Sequence, residues 1–154
     1  MEYIFTGNAL ASIGENGELT LPSCIGTAMI MRKSGKVLVR KHESDPCLVV
    51  FDRAFARRQV SELRLRCEGD RRRYDVAARS MFGCVEDASV DTDGTMVIPP
   101  MMFRRSAFGE SVLVVGAGET FELWDPETAM TCGDPNLRDL VEFYREHAFL
   151  GVGS

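Results

Sequence analysis

Few residues in this chain are of the types that perform covalent chemistry or hold metal ions. The 154 residues include two histidines, His42 and His147, in unrelated contexts, so no Ser-His-Asp or Cys-His arrangement can be assembled. The five cysteines contain no Cys-x-x-Cys pair, and a zinc site would need scattered cysteines or carboxylates. Glu86 and Asp87 could form a catalytic pair, but nothing marks a pocket around them. We therefore expect no enzyme, no metal site and no cofactor.

Two glycine-containing segments resemble ligand-binding loops only in part. Gly116-Ala117-Gly118 follows a valine-rich run, as in a dinucleotide-binding loop, but Phe121 stands where the third glycine is needed. The segment that ends at Gly94 resembles a calcium loop, but its glycine comes two positions early and Met102 replaces the closing glutamate. These segments are interpreted as a hairpin connection and a solvated turn.

The elements around these turns occur twice along the chain. Residues 16–22 and 93–99 both read as a glycine turn, a short alternating strand and a proline that ends it. A short helix and two β-rich runs follow each proline: residues 23–31, 36–40 and 47–51 in the first copy, and 100–108, 111–115 and 121–124 in the second. This order predicts an internal duplication. Neither copy has enough apolar residues for its own core, so the two are expected to interlock.

Helical patterns follow each copy. Two helices separated by Gly69-Asp70 are predicted between the copies, and Asp134-Pro135-Asn136 begins a last helix before the tail at 151–154. Arginines on the first pair of helices form either a basic surface or a solvated face interrupted by acids, and we favour the solvated face. The arginines are Arg57, Arg58, Arg64 and Arg66, and the acids are Glu62, Glu68, Asp70 and Asp75.

Charge is uneven within a chain of net charge −5. Residues 1–77 carry 13 basic and 10 acidic side chains, whereas residues 78–154 carry 5 and 13. A net-acidic chain argues weakly against nucleic acid, although an oligomer can still present one basic face. No apolar run approaches the roughly 20 residues of a membrane span, and the first residues do not form a signal peptide. We therefore expect a cytoplasmic protein that does not bind membranes.

Several segments, kept in order across residues 5–126, resemble the MraZ family. They are residues 5–7, 17–22, 46–51, 79–83, 91–99 and 114–124. The resemblance implies two swapped-hairpin units of the AbrB type, a ring of several subunits, and a nucleoid-associated bacterial regulator. It also implies binding to short DNA repeats upstream of the cell-division and cell-wall gene cluster. Each family unit has an Asp-x-x-Gly-Arg loop whose arginine reaches DNA.

Both loops depart from this family pattern. In the first loop Gly14 stands at the aspartate position and Glu18 at the arginine position. In the second loop Asp91 is present, but Thr95 replaces the arginine. A guanidinium can clamp a phosphate or chelate a guanine edge, whereas a carboxylate is repelled by phosphate. Two contacts of about 1–3 kcal/mol each are therefore expected to be lost per subunit.

These patterns predict an α+β, mainly β fold of two tandem AbrB-like units packed as a pseudo-symmetric pair. The predicted segments are a first unit at 5–53, linking helices at 54–82, a second unit at 83–126, and a C-terminal helix and tail at 127–154. The expected DNA-facing residues are Asn16, Gly17, Glu18, Asp93, Gly94, Thr95, Arg32, Lys33, Arg104 and Arg105.

Two functions follow from this assignment. The first is a MraZ-like transcriptional regulator that contacts DNA through basic residues near the loops. The second is an oligomeric scaffold or protein-interaction module of the same fold that has lost specific DNA binding. The resemblance favours the first function, and the loop chemistry favours the second.

Overall fold

A computed structural model describes residues 3–150, and the side chains up to residue 147; the predicted tail at 151–154 lies outside this range. In chain order the described elements are β1 (Asn8–Ser12), β2 (Glu18–Thr20), α1 (Ser23–Arg32), β3 (Lys36–Lys41), β4 (Leu48–Phe51), α2 (Arg53–Arg66), α3 (Arg71–Phe82), β5 (Glu86–Ser89), β6 (Thr95–Val97), α4 (Pro100–Ser106), β7 (Ser111–Gly116), β8 (Phe121–Trp124), α5 (Pro126–Thr131) and α6 (Pro135–Leu150). The order β-β-α-β-β-α-α therefore occurs twice, so the repeat also includes the helical pairs.

A six-stranded antiparallel sheet in the order β1-β7-β8-β4-β3-β5 combines strands of both copies. The order is symmetric about the central β8–β4 pair: β8 and β4 are equivalent strands of the two copies, as are β7 and β3, and β1 and β5. The first strand of each copy pairs in the other half: β1 with β7 of the second copy, and β5 with β3 of the first. A second, two-stranded sheet joins β2 to β6.

The main core lies between the sheets and the short helices and contains residues of both copies. Leu19 and Met96 face each other across the β2–β6 pair and are both buried. Ile25 from α1 and Phe121 from β8 are fully buried in the same cluster. A core built this way buries apolar surface that neither copy could bury alone.

The helix boundaries follow from local chemistry. Asp52, Asp70 and Asp125 are the N-cap residues of α2, α3 and α5, and each carboxylate accepts a hydrogen bond from a backbone amide in the first turn. The short helices α1 and α4 begin directly after Pro22 and Pro99, and each ends at a left-handed residue, Lys33 or Ala107. These matching ends are further evidence of the duplication.

The α+β class and the helical pair between the copies agree with the sequence expectation. Three elements, β1, β5 and α5, were not predicted. Strands β1 and β5 have the sequences NALAS and EDAS, which lack the β-branched and aromatic residues typical of strands, so their conformation depends on pairing with β7 and β3. No helix in the described part of the chain has the length and apolar character to cross a membrane.

Candidate functional site

The two glycine turns are equivalent in structure and are held by reciprocal hydrogen bonds. The Leu21 amide donates to the Gly94 carbonyl (2.8 Å), and the Ile98 amide donates to the Gly17 carbonyl (2.9 Å). Strands β2 and β6 are antiparallel and pair over three residues each, so the turns lie at opposite ends of a ribbon roughly 10 Å long. The backbone therefore presents two matching loops, which we name loop 1 (residues 14–18) and loop 2 (residues 91–95).

An aspartate side chain braces loop 2 from within. The Asp91 carboxylate accepts hydrogen bonds from the amides of Asp93 and Thr95, both at 2.9 Å. The Gly94 amide donates to the Asp91 carbonyl, and Gly94 has a φ of +81°, a left-handed conformation that favours glycine. Loop 2 thus keeps the turn of the family motif although the residue at its end is Thr95.

Loop 1 has the same backbone but a different brace. Gly17 has a φ of +84°, and its amide donates to the Gly14 carbonyl. Gly14 has no side chain, and the Glu18 carboxylate folds back into the vacant space: a Cβ built on Gly14 would lie 1.9 Å from the Glu18 Oε1. A side chain at position 14 would require the exposed and flexible Glu18 side chain to leave this conformation.

The outer surface of the two loops is acidic. Glu15, Asn16 and Glu18 in loop 1 are exposed, as are Asp91 and Asp93 in loop 2. The two glycines are less accessible: Gly17 is buried against Ile98 and Phe103, and Gly94 is half-buried. Four carboxylates on the two loops repel a phosphate backbone, so basic groups are needed nearby for any DNA contact.

Arg32, a predicted DNA-facing residue, lies in a buried network instead. Its Nε donates to the Asp52 carboxylate at 2.8 Å, its Nη1 donates to the Tyr3 carbonyl at 2.6 Å, and its side chain is 6% exposed. Asp52 also accepts from Ser34 and from the Phe55 amide. This arrangement joins the end of α1 to the start of α2 and leaves the guanidinium little access to DNA.

The same network fixes the charge of Asp52. Burial by itself raises the pKa of this carboxyl, but hydrogen bonds from Arg32, the Phe55 amide and Ser34, with the positive charge of Arg32, hold the pKa below its ordinary value. Asp52 is therefore ionised at neutral pH, where it serves both as a buried ion-pair partner and as the N-cap of α2.

The other three basic candidates are exposed but lie in different places. Lys33 borders a cavity of about 290 Å³ that is also lined by Asp91, Asp93 and Gly94, so this lysine from the first copy lies beside loop 2. Helix α4 contacts loop 1 through Phe103, and Arg104 is the next residue. Arg105 borders two other cavities, near the β3–β4 turn and near Met81.

Sequence reasoning missed two features of the site. The Arg32–Asp52 pair was missed, although Asp52 directly before an Arg-Ala-rich helix is a recognisable N-cap signal. The position of the Glu18 carboxylate over Gly14 was also missed, and its only signal was that both motif positions differ from the family pattern. Among the described residues, no group of three or more histidines, cysteines or acids could hold a metal ion.

The two loops, the duplicated order and the mixed sheet define a pseudo-symmetric α+β protein with a paired loop site. Curated proteins similar to this chain in sequence are named transcriptional regulator MraZ. The chain is 28% identical to the one from Ralstonia pickettii over 134 residues (81% of this chain, 84% of the relative). It is 25% identical to the one from Bordetella pertussis over 131 residues (79% and 82%), and 25% identical to the one from Phocaeicola vulgatus over 125 residues (81% of each).

No family model matches the chain. The relatives nevertheless cover most of its length, and the loops that suggested the resemblance are present in the structure. Over most of its length the chain is therefore similar to the MraZ transcriptional regulators. Its relatives are named as transcriptional regulators and not as enzymes.

Proposed function

We propose that this chain is a DNA-binding transcriptional regulator of the MraZ type that acts on the cell-division and cell-wall gene cluster. It would work in the cytoplasm, associated with the nucleoid, as a homo-oligomeric ring of swapped-hairpin units. The observation that carries the proposal is the pair of equivalent loops linked by the reciprocal Leu21–Gly94 and Ile98–Gly17 hydrogen bonds. Two loops with the same backbone turn at a fixed spacing suit a repeated DNA sequence.

The DNA contact would involve both loops together with basic side chains beside them. Lys33 supplies a positive charge next to loop 2, and Arg104 is exposed on the helix that packs on loop 1. Thr95 and Asn16 supply neutral hydrogen-bonding groups at the tips. Arg32 is left out of this surface because its guanidinium is paired with Asp52.

A second function, an oligomeric scaffold without specific DNA binding, is favoured by one observation. Glu15, Glu18, Asp91 and Asp93 make the loop tips acidic, and the family arginines are missing from both. A surface of this charge suits a basic protein partner better than phosphate.

Direct binding measurements separate the two functions. Fluorescence anisotropy with a duplex from upstream of the chain's own gene, and with a shuffled duplex, would be measured at two salt concentrations. The regulator binds its own duplex more tightly, and the affinity falls as salt rises because counterions are released. Equal, negligible binding of both duplexes would overturn the regulator and favour the scaffold.

Restoring the family motif tests whether the loops face DNA. In loop 1 the double change Gly14→Asp with Glu18→Arg replaces both departures, and Thr95→Arg replaces the one in loop 2. Each restored arginine is expected to raise affinity about tenfold, because a bidentate arginine contact contributes about 1–3 kcal/mol. Glu18→Arg alone should gain less, since loop 1 then lacks the aspartate brace seen in loop 2.

The control for this experiment is Ser61→Arg, which adds the same charge at an exposed position of α2. A similar gain from the control would mean that added positive charge, and not loop geometry, raises affinity. No gain from the restored loops would mean that they do not face DNA.

A further inference from the structure

The two halves of the six-stranded sheet differ at the end of β3. In the second copy the β1–β7 ladder is extended by a hydrogen bond from the Gly116 amide to the Gly7 carbonyl (2.8 Å). In the first copy the equivalent ladder between β5 and β3 ends at Glu86 and Val39, although β3 continues to Lys41. The last two residues of β3 therefore have no partner in β5.

A cavity of about 400 Å³ lies at this place. Its wall is formed by the end of β3, the segment that joins α3 to β5, and Met101 and Met102 of α4. The equivalent place in the second copy is filled by backbone, since a Cβ built on Gly116 would lie 2.6 Å from the Phe5 carbonyl oxygen. Helix α4 also packs on loop 1 through Phe103, so the cavity and loop 1 share one supporting helix.

Arg40 is a buried arginine on the cavity wall, and its charge is not neutralised. It is 9% exposed, its Nη1 donates to the Met81 carbonyl at 3.1 Å, and its guanidinium lies 5.1 Å from the centre of the Phe51 ring. No described residue accepts a hydrogen bond from its Nε or forms an ion pair with it. Buried cations are normally paired, because removing a charge from water is costly. Arg40 is an exception that an anion in the cavity would complete.

The surroundings of Arg40 add to this excess of positive charge. Burial lowers the pKa of Arg40, and the charge of Glu43 offsets only part of that effect, yet a guanidinium remains protonated at neutral pH. Lys41 and Arg105 are exposed on the same wall and form no ion pair with a described residue. Among the described lining residues Glu86 supplies the only carboxylate, so the wall keeps an excess of two positive charges.

We propose that this cavity binds a small amphiphilic anion. A phosphate or carboxylate group would lie on Arg40, Lys41 and Arg105, because such groups accept charge-assisted hydrogen bonds from guanidinium and ammonium groups. An apolar group would lie on Met101 and Met102, whose flexible side chains adapt to different shapes. The binding needs no DNA, so this proposal does not depend on the regulator function.

Isothermal titration calorimetry with four probes tests the ligand class. Hexyl phosphate and hexanoate carry both an anionic head and an apolar chain, whereas inorganic phosphate has only the head and 1-hexanol has a neutral head. At least one of the two amphiphilic anions should bind about tenfold or more tightly than inorganic phosphate and 1-hexanol, because it uses both parts of the wall. The tighter of the two identifies the head group.

Substitutions in the wall test the location. Arg40→Met should weaken binding about tenfold or more, and it should not lower the melting temperature, because it removes an unpaired buried charge and keeps a side chain of similar reach. Lys41→Gln and Arg105→Gln change exposed residues and should each weaken binding about threefold. Lys36→Gln is the matched control, an exposed lysine of β3 outside the cavity wall, and should bind as the wild type does.

Three results would overturn the proposal. The first is the absence of binding by both hexyl phosphate and hexanoate. The second is binding of these anions no tighter than that of inorganic phosphate or of 1-hexanol, which would mean that charge or apolar surface acts alone. The third is unchanged binding by the double variant Lys41→Gln with Arg105→Gln, which would place the anion elsewhere even if Arg40→Met does not fold.

Discussion

At the scale of single residues, two side chains expected to face DNA make contacts within the protein instead. Arg32 is basic and follows loop 1 along the chain, yet its charge is used inside the protein to hold Asp52. Glu18 replaces the arginine of the family motif, yet its carboxylate fills the space left by Gly14. The partner available in three dimensions, and not the residue type, decides the role.

The Arg32–Asp52 pair leads to a stability prediction. Arg32→Gln removes one partner of a buried ion pair and should lower the free energy of unfolding at pH 7 by about 3 kcal/mol. Because the pKa of Asp52 is lowered in the folded state, its contribution is present above the ordinary carboxyl pKa of about 4 and is lost as the pH falls through the folded-state value. The difference between wild type and variant should therefore shrink at low pH.

Urea unfolding at pH 7 and near pH 2 measures this difference. The neighbouring change Lys33→Gln, at an exposed position, is the control and should alter stability little. A loss that is equally large at both pH values would mean that Arg32 stabilises the protein by packing and not by its charge.

At the scale of elements, the turns depend on left-handed glycines with different surroundings. An alanine at either position costs about 1–2 kcal/mol for the left-handed backbone. At Gly94 the added Cβ is 3.7 Å from the Leu21 carbonyl oxygen, an ordinary contact, whereas at Gly17 it is 3.1 Å from the Ile98 oxygen and 3.3 Å from the Phe103 ring. Gly17→Ala should therefore lower the melting temperature more than Gly94→Ala, which should lower it by about 4 °C.

Thermal unfolding followed by circular dichroism measures both changes. Gly109→Ala is the control, because no atom lies within 4 Å of its added Cβ and its φ is not left-handed. Equal melting temperatures for Gly17→Ala and Gly109→Ala would contradict the tight packing of loop 1 on β6 and α4.

At the scale of the whole molecule, the exchanged strands make each copy dependent on the other. Strand β1 pairs with β7, β4 with β8 and β5 with β3, so residues 1–82 alone leave β1 without its partner strand, and β3 and β4 keep only each other. Each half expressed alone should lack the native fold, and the two halves mixed should form a 1:1 complex. Native-like circular dichroism with a monomeric mass for residues 1–82 alone would show that the first copy folds independently.

The sequence by itself determined the class of elements, the duplication and the two glycine turns. These follow from local rules. Glycine adopts the left-handed conformation at Gly94, proline follows the end of a strand at Pro99, and an aspartate caps a helix at Asp70. The family resemblance depends on the same local motifs, which are short and keep their order.

Only the tertiary structure decided which strands pair, how β1 and β5 become strands, and where the charges lie. The residues of β1 and β5 have weak strand preference and are fixed by partners about 100 and 50 positions away along the chain. The solvent access of Arg32 also depends on such long-range packing, because its partners Asp52 and Tyr3 are 20 and 29 positions away. Local sequence patterns do not encode these contacts, because they arise only when the two copies fold together.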